Sequence, residues 1–433
     1  MGQFRNKSYV IKSHFLKPGS DKKMEFFENH YLAVDTEGKI RYFGINTESI
    51  TDYNINEILD KTDCIIIPGL IDLHTHIPQY PAIGLGKGTL LKWLDEYIYP
   101  LEIKFNDPEY AFSLSKMFFE ECLKYGTTTV TAYSNSSFDG TDSAFQAAFD
   151  SGIRAFIGMS MMDTNAPELL LKSTRNNIDD SLKLAGKWHG AGENKLKYIL
   201  TPRYALICSM ELMKKTGEVS RKDGFYIQTH LAENIDELKK VAGMFPQCNT
   251  YTDVYHQAGM LNEKTLLAHC IYLSDYEIEL IKSNNSNVVH CPSSNRFLKS
   301  GIFPFMNINE LIHVGIGSDV AGGTSLSMLH ELKEAVETSK TYQLIHDHTS
   351  EVLSSGEALW TATKGNADIL GISNITGDFK TGVDADFATV KLERMGIEIG
   401  NISLDTITSK LLYLLGNKYV DSTYIKGKLL FSN

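Results

Sequence analysis

The chain has 433 residues, with 42 Lys or Arg against 53 Asp or Glu and a formal net charge of −11. Because nucleic-acid binding needs clustered cations, this acidic balance argues against a nucleic-acid partner and fits a small-molecule substrate. No run approaches the ~18 uncharged apolar residues of a membrane span. The first seven residues lack the apolar run of a signal peptide, so we expect a cytoplasmic protein. The six scattered cysteines contain no Cys-x-x-Cys pair, so we expect reduced thiols and neither a disulfide framework nor a zinc site built from thiolates.

The beginning and the end of the chain both resemble β structure. Residues 31–34 and 40–43 are short apolar runs around a turn that contains Gly38, which predicts a hairpin. Residues 386–390 and 423–425 have the same character. A single hydrophobic core usually stops growing near ~250–300 residues. We therefore predict that both termini, residues 1–67 and 376–433, form one small β-sandwich domain beside a larger domain of residues 68–375.

Helix-like and strand-like patterns alternate through the middle of the chain. This alternation predicts a parallel sheet in an α/β fold, and eight β/α units over roughly 250 residues match a TIM-like (β/α)8 barrel. The predicted strands are residues 65–73, 127–132, 154–159, 197–200, 225–229, 265–268, 287–289 and 314–317. The predicted helices include residues 108–124, 176–188, 210–219 and 327–340.

Residues suited to metal binding and proton transfer follow four of these strands. His74 and His76 end the first strand, and alternate strand residues point to the same side, so both imidazoles aim at one point. Imidazole is a common zinc ligand. His230 and Glu233 follow the fifth strand, His269 the sixth and Asp319 the eighth. Each of these residues alone could have a purely structural role. Together they follow four strands whose carboxyl ends meet at one face of the predicted barrel, where active sites of such barrels lie, and this predicts a metal-dependent site.

Six segments of the sequence resemble the amidohydrolase superfamily, and more narrowly its guanine deaminases. They are residues 68–80, 91–94, 201–204, 230–234, 290–295 and 318–323. The metal-site segments carry the wider resemblance, whereas Gln79-Tyr80 and Pro202-Arg203-Tyr204 carry the narrower one.

The resemblance implies a metal-dependent deaminase that converts guanine into xanthine and ammonia in purine catabolism or salvage. It implies one zinc ion, with iron as the alternative, and a homodimer. The implied metal ligands are His74, His76, His230 and Asp319. The implied catalytic residues are Glu233, which protonates N3, Asp319, which moves a proton from water to the leaving amine, and His269, which binds the tetrahedral centre. The implied substrate-binding residues are Gln79, Trp93, Arg203, Tyr204, His230 and Glu233.

Two alternatives to this function remain open at the level of sequence. One is an amidohydrolase with the same metal site but a different heterocyclic substrate, such as another purine, a pterin or a triazine. The other is a barrel scaffold without catalytic activity. Metal content would separate the second alternative from the first, since a scaffold need not bind zinc.

Overall fold

The computed structural model describes residues 8–46, 57–346, 351–400 and 402–433. Its strands, in chain order, are β1 (Tyr9–Pro18), β2 (Met24–Val34), β3 (Ile40–Gly44), β4 (Ile58–Pro68), β5 (Leu70–His76), β6 (Thr127–Tyr133), β7 (Arg154–Gly158), β8 (Ser160–Met161), β9 (Leu196–Tyr198), β10 (Thr201–Pro202), β11 (Ile227–Leu231), β12 (Thr265–His269), β13 (Asn287–His290), β14 (Val314–Ile316), β15 (Phe387–Lys391), β16 (Ser422–Ile425) and β17 (Lys428–Ser432).

The helices lie mainly between these strands. In chain order they are α1 (Leu90–Trp93), α2 (Tyr99–Lys104), α3 (Pro108–Lys124), α4 (Phe138–Ser151), α5 (Thr174–Trp188), α6 (Ala191–Asn194), α7 (Met210–Asp223), α8 (Ile235–Met244), α9 (Tyr251–Gln257), α10 (Asp275–Ser283), α11 (Pro292–Phe297), α12 (Phe305–Asn309), α13 (Met328–His346), α14 (Ser355–Trp360), α15 (Asn366–Ile369), α16 (Leu392–Met395) and α17 (Leu404–Leu415). Short 3-10 segments lie at Ile77–Ala82, Glu168–Leu170 and Ala205–Ile207, and π-helical turns at Leu94–Ile98 and Thr361–Gly365.

Eight parallel strands form the body of the barrel in two four-stranded sheets, β5-β6-β7-β9 and β11-β12-β13-β14. Backbone hydrogen bonds span both seams between these sheets. At one seam, the Leu200 N–H donates to the Tyr226 carbonyl over 2.9 Å; at the other, the Asp319 N–H donates to the His74 carbonyl over 2.7 Å. The second seam therefore joins two of the predicted metal-binding strand ends directly. The predicted α/β barrel fold is confirmed.

Helix α3 illustrates how the sequence forms the outer layer of the barrel. Asp107 caps its N-terminus by accepting a hydrogen bond from the Glu109 N–H, and Pro108 occupies the first turn, where no N–H partner is needed. Leu114, Phe118 and other apolar residues recur on one face and are buried. Burying each such side chain contributes roughly 1.5–3 kcal/mol, so the helix is stabilised mainly by packing.

The predicted first strand, residues 65–73, is two strands in the structure. β4 ends at Pro68 in the terminal sheet, and β5 begins at Leu70 in the barrel. Gly69 makes this change of sheet, and a Cβ there would lie 2.1 Å from the Thr128 Oγ1 atom. The prediction of one strand was wrong because the apolar run continues through the junction, and hydrophobicity alone does not reveal which sheet each half joins. The other seven predicted barrel strands are confirmed within a few residues.

The terminal strands form one seven-stranded sheet of order β17-β16-β15-β4-β1-β2-β3, where two packed sheets had been predicted. The register of β1 shifts near Ser13 against both of its neighbours, and such bulges bend a sheet. The edge strand β3 also contacts the segment that precedes β15, since the Ile40 N–H donates to the Val383 carbonyl over 2.9 Å. A single bent sheet therefore encloses the small core that a sandwich would have provided. The hairpin of β2 and β3 is confirmed.

The division into domains with boundaries after residues 67 and 375 stays a prediction. The expectation about the first seven residues lies outside the described residues. Within the described ranges, no helix has both the length and the apolar composition needed to cross a membrane.

Candidate active site

Four buried side chains converge at the carboxyl ends of the barrel strands. The ligand atoms of His74, His76, His230 and Asp319 all lie within 4.8 Å of one another. The His76 Nε2 atom lies 3.3 Å from His74 Nε2, 3.2 Å from His230 Nε2 and 3.1 Å from Asp319 Oδ1. The structure thus brings together all four residues of the predicted metal site.

Hydrogen bonds outside this cluster hold its members in place. The carboxylate of Asp72 accepts from the His74 N–H over 3.1 Å and from the Ser318 N–H over 2.9 Å, which ties the ends of β5 and β14 together. His230 Nδ1 lies 2.7 Å from the Arg203 carbonyl oxygen. Because a carbonyl only accepts, Nδ1 carries the proton, and the lone pair of His230 lies on Nε2, facing the cluster.

The electrostatics of the cluster suit a divalent cation. Burial lowers the pKa of His74, lowers that of His76 to about 3 and lowers that of His230 well below its usual value. Burial alone would raise the pKa of Asp319, but hydrogen bonds from His74 and His76 outweigh it and hold this pKa well below its ordinary range. Neutral imidazoles and an ionised carboxylate are the protonation states that a metal ion requires. Three histidines and one carboxylate also match the donor set of zinc.

His269 lies beside the cluster with one ring nitrogen unsatisfied. Its Nδ1 atom lies 2.8 Å from Asn295 Oδ1 and therefore donates. Its Nε2 atom is buried without a hydrogen bond among the described residues, 3.5 Å from Glu233 Oε2 and 3.8 Å from Asp319 Oδ2. A buried orphan acceptor of this kind marks a position for a ligand or an ordered water.

Glu233 is a buried carboxyl that faces the same space. Ser300 Oγ donates to its Oε1 atom over 2.9 Å. Burial and the charge of Asp319 raise the pKa of Glu233 to about 8, and the Ser300 hydrogen bond offsets only part of this rise. At neutral pH this group therefore carries a proton that it can donate to a ligand.

Left-handed backbone conformations occur at the strand ends of the site. The φ angles of His269, Cys270 and Asp319 are 71°, 53° and 48°. Non-glycine residues pay roughly 1–3 kcal/mol for such conformations, which cluster at functional sites. The chain turns sharply at these residues while their side chains stay in the site.

These side chains surround one partly enclosed cavity, in which polar groups converge among apolar walls. Every predicted site residue except His74 lines it. The lining residues are His76, Gln79, Leu90, Trp93, Leu94, Arg203, Tyr204, His230, Glu233, Glu237, His269, Leu298 and Asp319. Tyr80, which contributed to the sequence resemblance, packs against Phe118 instead, with ring centroids 6.0 Å apart.

Comparison with known proteins agrees with this architecture. The profile of the Amidohydrolase family matches residues 65–430. The chain belongs to the amidohydrolase family. It is 32% identical over 424 residues to guanine deaminase of Dictyostelium discoideum, across 94% of each chain, and 32% identical over 419 residues to guanine deaminase of Escherichia coli (strain K12), across 94% of this chain and 92% of that one. The resemblance inferred from the sequence is confirmed.

A solved structure is similar over nearly the whole chain. It is the guanine deaminase from C. acetobutylicum with guanine bound in its active site. The TM-score is 0.91 and the identity 32%, across 98% of this chain and 100% of that chain. The fold and the sequence therefore point to the same group of amidohydrolases.

Two acidic residues of the site were missed in the sequence. Glu102 forms a buried ion pair with Arg203, and Glu237 lines the cavity. Glu237 accepts from the Glu233 N–H over 3.1 Å and from the Tyr251 hydroxyl over 2.8 Å. A signal for Glu237 was present, because Asn234 and Glu237 have the spacing of a helix capping box. No comparable local signal marks Glu102, whose partner lies 101 residues away.

A third buried acid, Glu331 in α13, supports the loop beside the metal cluster. Its carboxyl accepts from the Ser293 N–H over 3.2 Å and from the Ser293 hydroxyl over 2.7 Å. The next residue, Ser294, donates to Asp319 Oδ2 over 2.6 Å. Glu331 therefore fixes α11, and α11 in turn orients a carboxylate of the cluster.

The Glu331 carboxyl should make stability depend on pH. Burial raises its pKa to about 8, so the folded state keeps a proton that the unfolded state releases above its own pKa of ~4.3. The stabilisation is complete below pH ~4.3 and is lost as the pH rises to about 8. Glu331→Gln, uncharged at every pH, should gain stability relative to the parent by roughly 2–4 kcal/mol between pH 5 and pH 8. Urea unfolding at both values checks this, and a pH-independent difference would contradict it.

Proposed function

We propose that this chain hydrolyses guanine to xanthine and ammonia, in purine catabolism or salvage, with one zinc ion as cofactor and iron as the alternative metal. The observation that carries the proposal is that metal-binding, acid and hydrogen-bonding side chains share one cavity. Within it three residues of the metal cluster and the buried carboxyl of Glu233 share the space with the side chains of Arg203 and Gln79. The similar C. acetobutylicum enzyme, which holds guanine in its active site, supports the choice of substrate.

His74, His76, His230 and Asp319 would hold the metal, because their ligand atoms converge and their protonation states suit a cation. When bound, zinc supplies the activation of water, whose pKa such an ion lowers from 15.7 to about 7. The protein must then supply the substrate orientation and the proton transfers.

Asp319 has two oxygens with different surroundings, which suits two tasks. Oδ1 faces the histidines of the cluster, whereas Oδ2 accepts from Ser294 and lies 3.8 Å from His269 Nε2. In the reaction, an oxygen from water bonds to C2 of guanine and the bond from C2 to the exocyclic nitrogen breaks. Asp319 accepts the proton of the attacking water and passes it to the leaving amine, which departs as ammonia.

Glu233 and His269 act on the ring and on the tetrahedral centre. Glu233 donates its proton to N3, which makes C2 more electron-poor and readier for attack. The hydroxyl left on C2 returns a proton to Glu233 as it becomes the carbonyl of xanthine. Ser300 holds the Glu233 carboxyl at its other oxygen. His269, oriented by Asn295, stabilises the tetrahedral centre through Nε2. Electrostatic and proton-transfer contributions of this kind lower barriers because the groups are already in place.

Arg203 and Gln79 would bind the O6 and N7 edge of the purine, since both guanine atoms are acceptors and both side chains carry N–H donors. Trp93 and Tyr204 form apolar walls, and the Trp93 indole N–H is already satisfied by the Leu85 carbonyl over 2.8 Å. His230 contributes its ring to the same wall as well as to the metal cluster.

Cytoplasmic location and a homodimer remain part of the proposal, supported by the family resemblance alone.

A panel of heterocycles tests the proposed function. Zinc-loaded protein should release ammonia from guanine with a kcat/KM at least about 100-fold above that for adenine, and with a kcat/KM above that for cytosine, 8-oxoguanine, a pterin or an aminotriazine. The reason is that Arg203 and Gln79 offer N–H donors to O6 of guanine. Adenine has an amino group at this position, which is itself a donor and cannot accept these hydrogen bonds. Chelator-treated protein is the control. A higher kcat/KM for any other heterocycle would overturn the choice of substrate, and no turnover in the whole panel would favour a scaffold.

A further inference from the structure

The ion pair between Glu102 and Arg203 lies behind the wall of the cavity. Glu102 belongs to α2 and is 1% exposed, and Arg203 is 2% exposed. The Arg203 Nη1 atom donates to Glu102 Oε1, and the Gln79 Nε2 atom donates to the same oxygen over 3.5 Å. One carboxylate oxygen therefore holds both of the donors that line the purine side of the cavity, although Glu102 itself does not line it.

We propose that Glu102 is a positioning residue that orients Arg203 and Gln79 and thereby determines the preference for a purine with a 6-oxo group. This inference rests on the proposed function. It assigns the choice between substrates to a residue that would not touch the substrate.

The orientation of Gln79 follows from the chemistry of its partner. An ionised carboxylate only accepts hydrogen bonds, so it attracts the amide nitrogen of Gln79 and not the amide oxygen. The Gln79 Oε1 atom accepts from the Ala321 N–H over 3.4 Å. With both amide ends assigned, the second N–H of Gln79 is left to act as a donor. A neutral partner at position 102 could hold this amide either way round.

The orientation of Arg203 follows in the same way. A guanidinium has five N–H donors, and within the described residues only the bond to Glu102 engages them. Tyr99 lies beside the guanidinium, with 5.8 Å from the Arg203 Cζ atom to the ring centroid. The Glu102 backbone is held in turn by Asn135, whose Nδ2 atom donates to the Glu102 carbonyl over 3.0 Å. Arg203 is thus fixed from behind while its remaining donors stay available.

The charges of the pair also matter for a neutral substrate. The Glu102 carboxylate compensates the Arg203 charge, so an uncharged purine can bind without leaving a buried, unpaired cation. Donors on a fixed frame favour the acceptor O6 of guanine. They disfavour a purine with an amino group at position 6, because the N–H groups of that amino group would face the N–H donors of Arg203 and Gln79.

The test compares a 6-oxo purine with one that lacks this group. In zinc-loaded Glu102→Gln, the KM for guanine should rise about 10–100-fold, the range expected when hydrogen bonds from a charged group are lost. The kcat should change less than about threefold, and so should the inhibition constant of 2-aminopurine, which has no 6-oxo group. An unchanged KM, or an equal loss for both ligands, would overturn the inference.

Three further variants separate a positioning role of Glu102 from a general loss of stability. Glu102→Asp retains the charge but withdraws the oxygen by one methylene, so it should show the same selective loss even where Glu102→Gln folds poorly. Glu277→Gln is the control, because Glu277 is also buried but binds Thr252 and Ser274 away from the cavity. In an Arg203→Gln background, Glu102→Gln should cost less than it does in the parent, because only its contact with Gln79 is left to lose, whereas fully additive losses would contradict action through Arg203. Wild-type protein without guanine turnover would overturn the proposed function itself.

Discussion

Glu233→Gln is expected to keep its fold and its zinc while kcat for guanine falls about 10²–10⁴-fold, the contribution of a well-placed acid–base group. Glutamine preserves the size of the side chain and still accepts the Ser300 hydrogen bond. It cannot deliver a proton to N3, however, and the carboxyl it replaces is buried with its pKa raised to about 8. Steady-state kinetics together with metal analysis of the purified variant measure both parts of this expectation.

The control for this variant is another buried glutamate. Glu277→Gln alters a carboxyl of similar burial outside the cavity, and its kcat should match the parent. Undiminished turnover by Glu233→Gln would remove Glu233 from the proton-transfer path. Loss of zinc together with activity would assign it a metal-holding role instead.

Asp319→Asn is expected to weaken zinc binding by more than ~100-fold. Even replacing a residue that only hydrogen-bonds to a metal ligand lowers metal affinity roughly 10–100-fold, and Asp319 is a predicted ligand itself. The variant replaces the one anionic ligand, whose oxygen lies 3.1–3.2 Å from two imidazole nitrogens. Activity should fall by ~10³-fold or more and should not recover when excess zinc refills the site, since the amide cannot accept the proton of water. Zinc titration followed by kinetics at saturating zinc separates the two losses.

A buried aspartate elsewhere serves as the control here. Asp253 is buried in α9, where it accepts from the Asn249 N–H over 2.9 Å, and Asp253→Asn should retain zinc affinity and kcat. Full recovery of Asp319→Asn at high zinc would limit Asp319 to a ligand and leave the proton transfer to another group.

The sequence predicted the part of the site that follows from strand geometry. His74 and His76 alternate on one strand, and the ends of parallel barrel strands meet at one face, so His230, His269 and Asp319 could be expected beside them. The structure places these side chains within a few ångströms of one another. Their roles in the reaction stay predictions.

What the sequence did not predict depends on contacts between distant segments. Glu102 looks like any helix glutamate, and only the folded chain brings it to Arg203. Likewise, Ser300 and Glu331 act through partners 67 and 38 residues away. The junction at Gly69 was missed because a continuous apolar run carries no mark of the sheet to which each half belongs. Local patterns therefore predicted the strand ends, whereas the supporting hydrogen bonds required the packed structure.

The most direct test of hydrolytic guanine deamination uses isotopically labelled water. Zinc-loaded protein is incubated with guanine in water enriched in oxygen-18, and the products are analysed by mass spectrometry and by an ammonia assay. We expect xanthine with one labelled oxygen at C2 and one equivalent of ammonia, both formed at least ~10³-fold more slowly when Asp319→Asn replaces the parent protein. Unchanged guanine, or xanthine without the label, would contradict the proposed reaction.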